Sequence, residues 1–344
     1  MILDLSGFAL VWVWLLFAAC AGVILVVGSR LAATADELAD RTGLGEAITG
    51  AVLLGASTSL PGIVTSVTTA AWGMPELASS NAVGGIAAQT VFLAVGDFFL
   101  RRTNLEHAAA SLANMAQGTL LLMLLALPLA AAWAPDITIW SIHPATPLML
   151  ALWVYAMNMI RGIHDNPMWR PQRTDDTVSE ADQPDDDSGR RLATVWIAFA
   201  VLALVCGTAG FVLAEAGVSI SRRTGLGETA VGALMTGVAT SLPELVTTVT
   251  AIRKGALTLA VAGIIGGNAF DVLFLAMADI AYRDGSLYHA MSERTLFVTA
   301  LAIIMTGALL LGMLRRERHG PMGIGFESMA ILGLYAAALP VILT

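Results

Sequence analysis

Residues 41–107 and 223–289 are two copies of one segment. Sliding the chain by 182 residues aligns them without a gap, and 30 of the 67 positions are identical. Each copy opens with "RTGLGE" and continues through "TSLP". The first closes with Asp97, Arg101, Leu105 and His107, the second with Asp279, Arg283, Leu287 and His289. Shared Gly, Pro, Thr and Ser positions in ungapped register argue against a chance likeness of two apolar stretches, so the chain is an internal duplication. Any fold it adopts must be one that can be built twice.

Composition names the medium. Of the 344 residues, 57% are hydrophobic and 13% charged, with a mean hydropathy of +0.76, against roughly 25% charged in a soluble domain. A membrane-spanning helix needs about 20 mostly apolar residues. Ten such stretches centre near residues 18, 58, 88, 120, 152, 204, 239, 268, 302 and 334. The expected fold is therefore an all-α membrane protein of ten transmembrane helices. Residues 1–161 form the first five-helix repeat, 162–191 a linker and 192–344 the second repeat. Five is odd, so the second unit enters from the opposite side, which gives two inverted-topology repeats with a substrate site near mid-membrane. The run Phe8 to Val27 carries Asp4 ahead of it instead of a basic region, so a retained helix is expected in place of a cleaved signal. Cys20 and Cys206 both lie in apolar runs and read as small core residues, although Phe17 to Cys20 faintly resembles a lipoprotein box.

Threading ten helices alternately puts 14 of the 18 Lys and Arg residues on one side and Arg222, Arg223, Arg283 and Arg294 on the other. The tendency of basic residues to stay cytoplasmic then places both termini outside and the linker inside. With no organelle-targeting signature in the sequence, the default location is a bacterial-type inner membrane. Half of the net charge of −8 comes from Arg173 to Arg191, "RTDDTVSEADQPDDDSGRR". That segment reads as a disordered, solvated linker rather than a calcium buffer.

The chemistry sits at the centre of each copy. Pro61 and Pro243 fall mid-span, where proline removes a backbone donor and clashes with the preceding turn, so a kink or break is expected that frees carbonyl oxygens. Thr240 and Glu244, four apart, would share a helix face, as would Asn268 and Asp271, three apart. A carboxylate at bilayer depth costs about 2.5 to 3.5 kcal/mol on insertion scales, so such groups pair, bind a cation or titrate. The bland alternative is two protonated acids clamping two helices. Hard oxygen ligands without thiolate or imidazole clusters suit calcium or sodium. No HExxH, Walker loop, nucleophile elbow or dinucleotide fingerprint appears, so neither an enzyme nor an ATP-driven pump is expected. No cofactor or nucleic-acid partner is expected either. The partners would be inorganic cations and the bilayer, and the sequence leaves the oligomeric state open.

These segments, "GVATSLPELVTTV" and "GIIGGNAFD" with their counterparts "GASTSLPGIVTSV" and "AVGGIAAQ", resemble the cation/calcium exchanger superfamily, in particular the sodium/calcium exchangers and their prokaryotic relatives. The resemblance implies a ten-helix, two-repeat transporter working by alternating access, exchanging Ca²⁺ for Na⁺ or H⁺. By position it implies Glu244 and Asp271 as the metal ligands. Thr240 and Ser241, with Thr58 and Ser59 from the first copy, would supply hydroxyl or backbone oxygens, and Asn268 and Gln89 would complete the ion-binding set. The first and sixth helices would slide past the core.

The chain also departs from the family. Gly62 stands where the family has a glutamate, Gln89 where it has Asn or Asp, and Ile86 where Asn268 has its counterpart. Two carboxylates then remain where the family typically has about three. One Ca²⁺, two Na⁺ or two H⁺ would neutralise them, which points to exchange with few counter-ions, and the cycle could be electroneutral. Burial favours the neutral form of an acid, which opens a proton-coupled cycle. The alternatives are a monovalent Na⁺/H⁺ antiporter and a transport-inactive, cation-sensing or scaffold relative. Asp97 and Asp279 are expected to cap or to pair with Arg101 and Arg283 at the interface. Glu76 is expected near the external end of the third helix. Glu46 and Glu228 read as first-turn acids. His107 and His289 read as structural rather than pH-sensing. Trp12, Trp14, Trp133, Trp140, Trp153 and Trp169 read as interface anchors.

Overall fold

The computed structural model describes residues 5–42, 55–98, 100, 104–165, 168, 191–316 and 324–343. The linker aspartates, Glu46, Arg101 and Trp169 lie outside the described residues. The described residues are helical, with one isolated bridge between Ile139 and Ile142. In chain order the helices are α1 (Leu10–Val23), continued through a π-turn (Ile24–Gly28) into α2 (Ser29–Thr42), α3 (Leu60–Ala71), α4 (Pro75–Asp97), α5 (Leu105–Ala109), α6 (Leu112–Ala132) and α7 (Ala145–Asp165). There follow α8 (Leu192–Thr224), α9 (Glu228–Ala230), a second π-turn (Val231–Thr236), α10 (Gly237–Thr240), α11 (Leu242–Arg253), α12 (Leu257–Asp271), α13 (Leu273–Ala281), α14 (Glu293–Arg315) and α15 (Phe326–Leu343).

Among the described residues seven helices are long and apolar enough to cross a membrane, or eight if the bent pair Glu228–Thr240 and Leu242–Arg253 is one span. In the other two stretches read from the sequence the described residues are also mostly helical. However, α3 is a shorter apolar helix, and α7 dilutes its apolar run with Thr146, Pro147, Asn158 and Arg161. The chain is a multi-pass integral membrane protein.

Burial sorts the helices into centre and rim. In α4, 83% of the most apolar window is buried inside the protein, against 17% for the α1–α2 span. Small residues explain the central position of α4, whose run Ser79 to Ala88 holds Asn81, Gly84 and Gly85 and few large side chains. A Cβ on Gly84 would lie 2.2 Å from Ala233 Cα, and one on Gly237 would lie 2.8 Å from the Gly85 nitrogen, so the backbones cross almost in contact. α1 and α8 pack on each other at the rim. At 33 residues α8 is about 50 Å long, which exceeds the roughly 30 Å hydrocarbon core. Both cysteines are buried thiols on this pair of helices. Trp12, Trp133 and Trp140 are largely exposed, whereas Trp153 packs edge-on against Phe270, so it belongs to the core and not to an interface belt.

The 182-residue offset reappears as geometry. The Leu105 N–H donates to Asp97 Oδ1 at 2.8 Å, and the Leu287 N–H to Asp279 Oδ1 at 2.9 Å. The second oxygens accept from Gly325 N and His143 N at 2.8 and 2.9 Å, and those residues are also 182 apart. His107 Nδ1 donates to Arg316 O at 2.7 Å, and His289 Nε2 to Ala134 O at 2.8 Å, with the same offset again. The correspondence therefore runs from residue 97 to 143 in the first half, well past the recognisable repeat. These contacts make both aspartates caps of backbone N–H groups, one of the two roles expected of them. Both aspartates are fully buried acceptors of backbone N–H groups, and Arg283 donates to Trp140 O instead of to Asp279. Thr146 Oγ1 also donates to Asp279 Oδ2 and accepts from Tyr288, whose phenol burial pushes well above its usual range, keeping it a neutral donor.

Candidate ion-binding site

The two "TSLP" segments break their helices two residues before each proline. Ser59 (φ −82°, ψ −5°) and Ser241 (φ −92°, ψ 4°) both lie near the bridge region, and a helix restarts at Leu60 and at Leu242. Each proline then occupies the first turn of the new half-helix, where its missing N–H is no loss. In the second half the two pieces meet at 47°. Thr240 and Glu244 therefore lie on either side of a break and not on one continuous helix. Thr240 ends α10, donating to Gly237 O at 3.2 Å, while Glu244 sits in the first turn of α11, where the helix dipole favours an acid.

Glu244, Asp271, Asn268, Gln89, Thr58, Ser59, Thr240 and Ser241 are all buried. Ser59 Oγ donates to Asp271 Oδ1 at 2.5 Å. Gln89 Nε2 donates to Asp271 Oδ2 at 2.5 Å and to Ser241 Oγ at 3.2 Å. A carboxylate only accepts, so these bonds fix which end of the Gln89 amide faces Asp271. Gln89 and Asp271 are themselves counterparts, and Ser59 and Ser241 are another such pair. The network Ser59–Asp271 and Ser241–Gln89 thus joins each copy to the other. Thr58 Oγ1 donates to Gly55 O at 3.0 Å and lies beside the Glu244 carboxyl. Asn268 Nδ2 donates to Thr90 Oγ1 at 3.1 Å. Thr90 has Val272 as its counterpart and stands outside both motifs, so nothing in the sequence marked it.

What this network leaves over is a set of acceptors. Glu244 Oε2, Gln89 Oε1 and Asn268 Oδ1 are buried with no hydrogen-bond partner. Buried polar atoms are normally paired, and an unpaired carboxylate oxygen together with two unpaired amide oxygens can accept a hard cation. No group of three or more His, Cys, Asp or Glu side chains positioned to hold a metal occurs among the described residues. A cation here would draw on amide, hydroxyl and carbonyl oxygens as well as the two acids.

Two sequence-read acids lie elsewhere. Glu76, at the start of α4, accepts from Ser292 N at 2.7 Å, Ser292 Oγ at 2.6 Å, Thr295 Oγ1 at 2.5 Å and Thr229 Oγ1. It thereby ties the beginnings of α4, α9 and α14 together beside an open cavity of about 650 Å³ that Glu228 and Glu293 also line. Glu228 begins α9 as a first-turn acid.

The model of the sodium/calcium exchanger protein family matches residues 12–160 and 192–343. The Escherichia coli (strain K12) inner membrane protein YrbG is 27% identical over 310 residues, covering 88% of this chain and 90% of its own length. Two solved structures share the fold. The H+/Ca2+ exchanger CAX has a TM-score of 0.66 at 14% identity, over 95% of this chain and 82% of its own. The sodium-calcium exchanger NCX_Mj has a TM-score of 0.61 at 16% identity, over 96% of this chain and 99% of its own. Only the chain ends and the linker fall outside the family match, and the chain belongs to the sodium/calcium exchanger protein family.

Proposed function

We propose that the chain is a secondary cation antiporter exchanging Ca²⁺ for Na⁺ or H⁺ by alternating access, through a mid-membrane site dominated by the second repeat. The observation that carries this reading is the pair of buried carboxylates, Glu244 and Asp271, set beside two helix breaks, with Glu244 Oε2 and the amide oxygens of Gln89 and Asn268 left unpartnered. Glu244 and Asp271 would hold the ion directly. Ser59 and Gln89 would orient Asp271, Thr58 would orient Glu244, and Asn268, Thr240 and Ser241 would complete the oxygen shell. No cofactor or enzymatic activity is part of this reading.

The architecture proposed with it is ten spans in two inverted five-helix repeats, 1–161 and 192–344, joined by a cytoplasmic linker at 162–191, with both termini outside. The contacts of Asp97 and Asp279, repeated at a constant offset, support it. An inner membrane is the proposed location, in line with the description of the YrbG relative.

Radioactive Ca²⁺ uptake into proteoliposomes, driven in turn by an outward Na⁺ gradient and an outward H⁺ gradient, tests the function. Uptake that is lost in Glu244→Gln establishes calcium antiport and names the counter-ion. Absence of uptake from folded, inserted protein sinks it. The glycine at position 62 favours a second reading, monovalent Na⁺/H⁺ exchange, whose signature is Na⁺ flux indifferent to Ca²⁺. A transport-inactive cation sensor would instead bind Ca²⁺ with no flux at all.

A further inference from the structure

Position 62 is the counterpart of Glu244, and the structure shows what stands in place of its side chain. A Cβ built on Gly62 would lie 2.6 Å from Phe274 Cε2, 3.2 Å from Cζ and 3.5 Å from Cδ2. The Phe274 ring therefore fills the direction in which a side chain would leave residue 62. The backbone cannot retreat to make room. α8 packs closely on the same turn: a Cβ on Gly210 would be 2.7 Å from Pro61 O, and the Thr65 hydroxyl is shared between Pro61 O at 2.8 Å and Gly210 O at 3.1 Å. Asn81 Nδ2 donates to Gly62 O at 3.3 Å and to Ser66 Oγ at 2.9 Å, which pins α3 to α4.

The rings at counterpart positions confirm the asymmetry. Phe274 is 4% exposed, whereas its counterpart Phe92, in the half where the acid is Glu244, is only partly buried. By the same offset, a carboxylate at 62 would face Thr240 and Gln89 as Glu244 faces Thr58 and Asp271. Gln89 has already turned its NH₂ toward Asp271 and Ser241.

We propose that Phe274 is a specificity-determining residue: its ring takes the space in which an acid at position 62 would complete a second half-site, limiting the site to one divalent cation at Glu244 and Asp271. The vacated half-site is packed shut with hydrocarbon, so restoring the acid alone restores nothing. The identity of the cation rests on the antiport reading, whereas the plug itself does not.

Two measurements test it. In a Cys20→Ala/Cys206→Ala background, Gly62→Cys in membranes is treated with a small cationic thiol reagent. Labelling is expected to be slow with Phe274 present and severalfold faster with Phe274→Ala or, keeping more of the core, Phe274→Leu. Equal rates with and without the ring overturn the proposal. Equilibrium binding of radioactive Ca²⁺ to purified protein gives the second test. Gly62→Glu alone is expected to gain no affinity, while Gly62→Glu with Phe274→Ala gains about tenfold or more over Phe274→Ala, because calcium affinity follows the number of charged ligands. A comparable gain in Gly62→Glu alone, or no gain in the double variant, overturns it. If no variant binds Ca²⁺ and labelling still depends on the ring, the calcium reading fails and the plug stands.

Discussion

Glu244→Gln keeps the shape of the side chain and removes its charge, and uptake of Ca²⁺ into proteoliposomes is expected to fall to background, as it is for Asp271→Asn. Gln89→Leu is a subtler change. It leaves Asp271 Oδ2 and Ser241 Oγ without the donor they share, at a cost of about 1 to 3 kcal/mol when a buried polar group loses its partner. Thermal unfolding in ion-free buffer should show the loss, and Ca²⁺ should recover part of it by binding the exposed carboxylate. Wild-type stability in ion-free buffer would mean that the amide contributes nothing to Asp271. At this scale much of the candidate site was legible, because polar residues in an apolar run can be listed from the sequence alone. Phe274 over Gly62 was not, since the contact joins residues 212 apart and involves an ordinary apolar side chain. Thr90 was missed for a related reason: a threonine in a membrane helix usually bonds its own preceding turn, and Thr90 does that too, donating to Ile86 O at 2.9 Å.

Between elements, the crossing of α4 with the segment from Val231 to Thr240 is set by glycines. A Cβ on Gly84 would meet the backbone of Ala233, so Gly84→Ala must push the helices apart, an overpacking that costs about 1 to 3 kcal/mol. Gly307, inside α14 with nothing within 4 Å of its missing Cβ, is the matched control. The expected outcome is a lower melting temperature for Gly84→Ala and no loss for Gly307→Ala. Equal effects would place the fixed crossing elsewhere. The break positions were half legible: the prolines announced an interruption, but the chain turns at Ser59 and Ser241 and uses each proline to start the next half-helix. The four-residue spacing rule holds only within a continuous helix, and Thr240 and Glu244 lie on either side of the break.

For the whole molecule, the duplication carried most of the fold, because a gapless offset fixes element order twice from one reading. It understated its own reach, since His143 and Gly325 share a role without sharing a residue type: each uses only its backbone N–H. Asp279→Ala would strand two of those N–H groups and the Thr146 hydroxyl. Bonds to charged groups are worth about 1.5 to 3 kcal/mol each, so little folded protein is expected by size-exclusion chromatography, with Asp279→Asn intermediate. Reporter fusions should place both termini on the external side. The clasp at Glu76 breaks the likeness of the two halves. Its donors Thr229, Ser292 and Thr295 have Ala47, Ala110 and Ala113 as counterparts, and Glu76 itself has Thr258. One end of the protein is fastened by an acid and three hydroxyl-bearing residues, whereas the counterpart positions carry three alanines and a threonine. On the antiport reading proposed above, a carrier built this way would behave as a kinetic rectifier: ion gradients alone would still set where exchange stops, but the two membrane faces would present unequal barriers. Glu76→Ala should draw the half-saturation concentrations at the two faces toward one another.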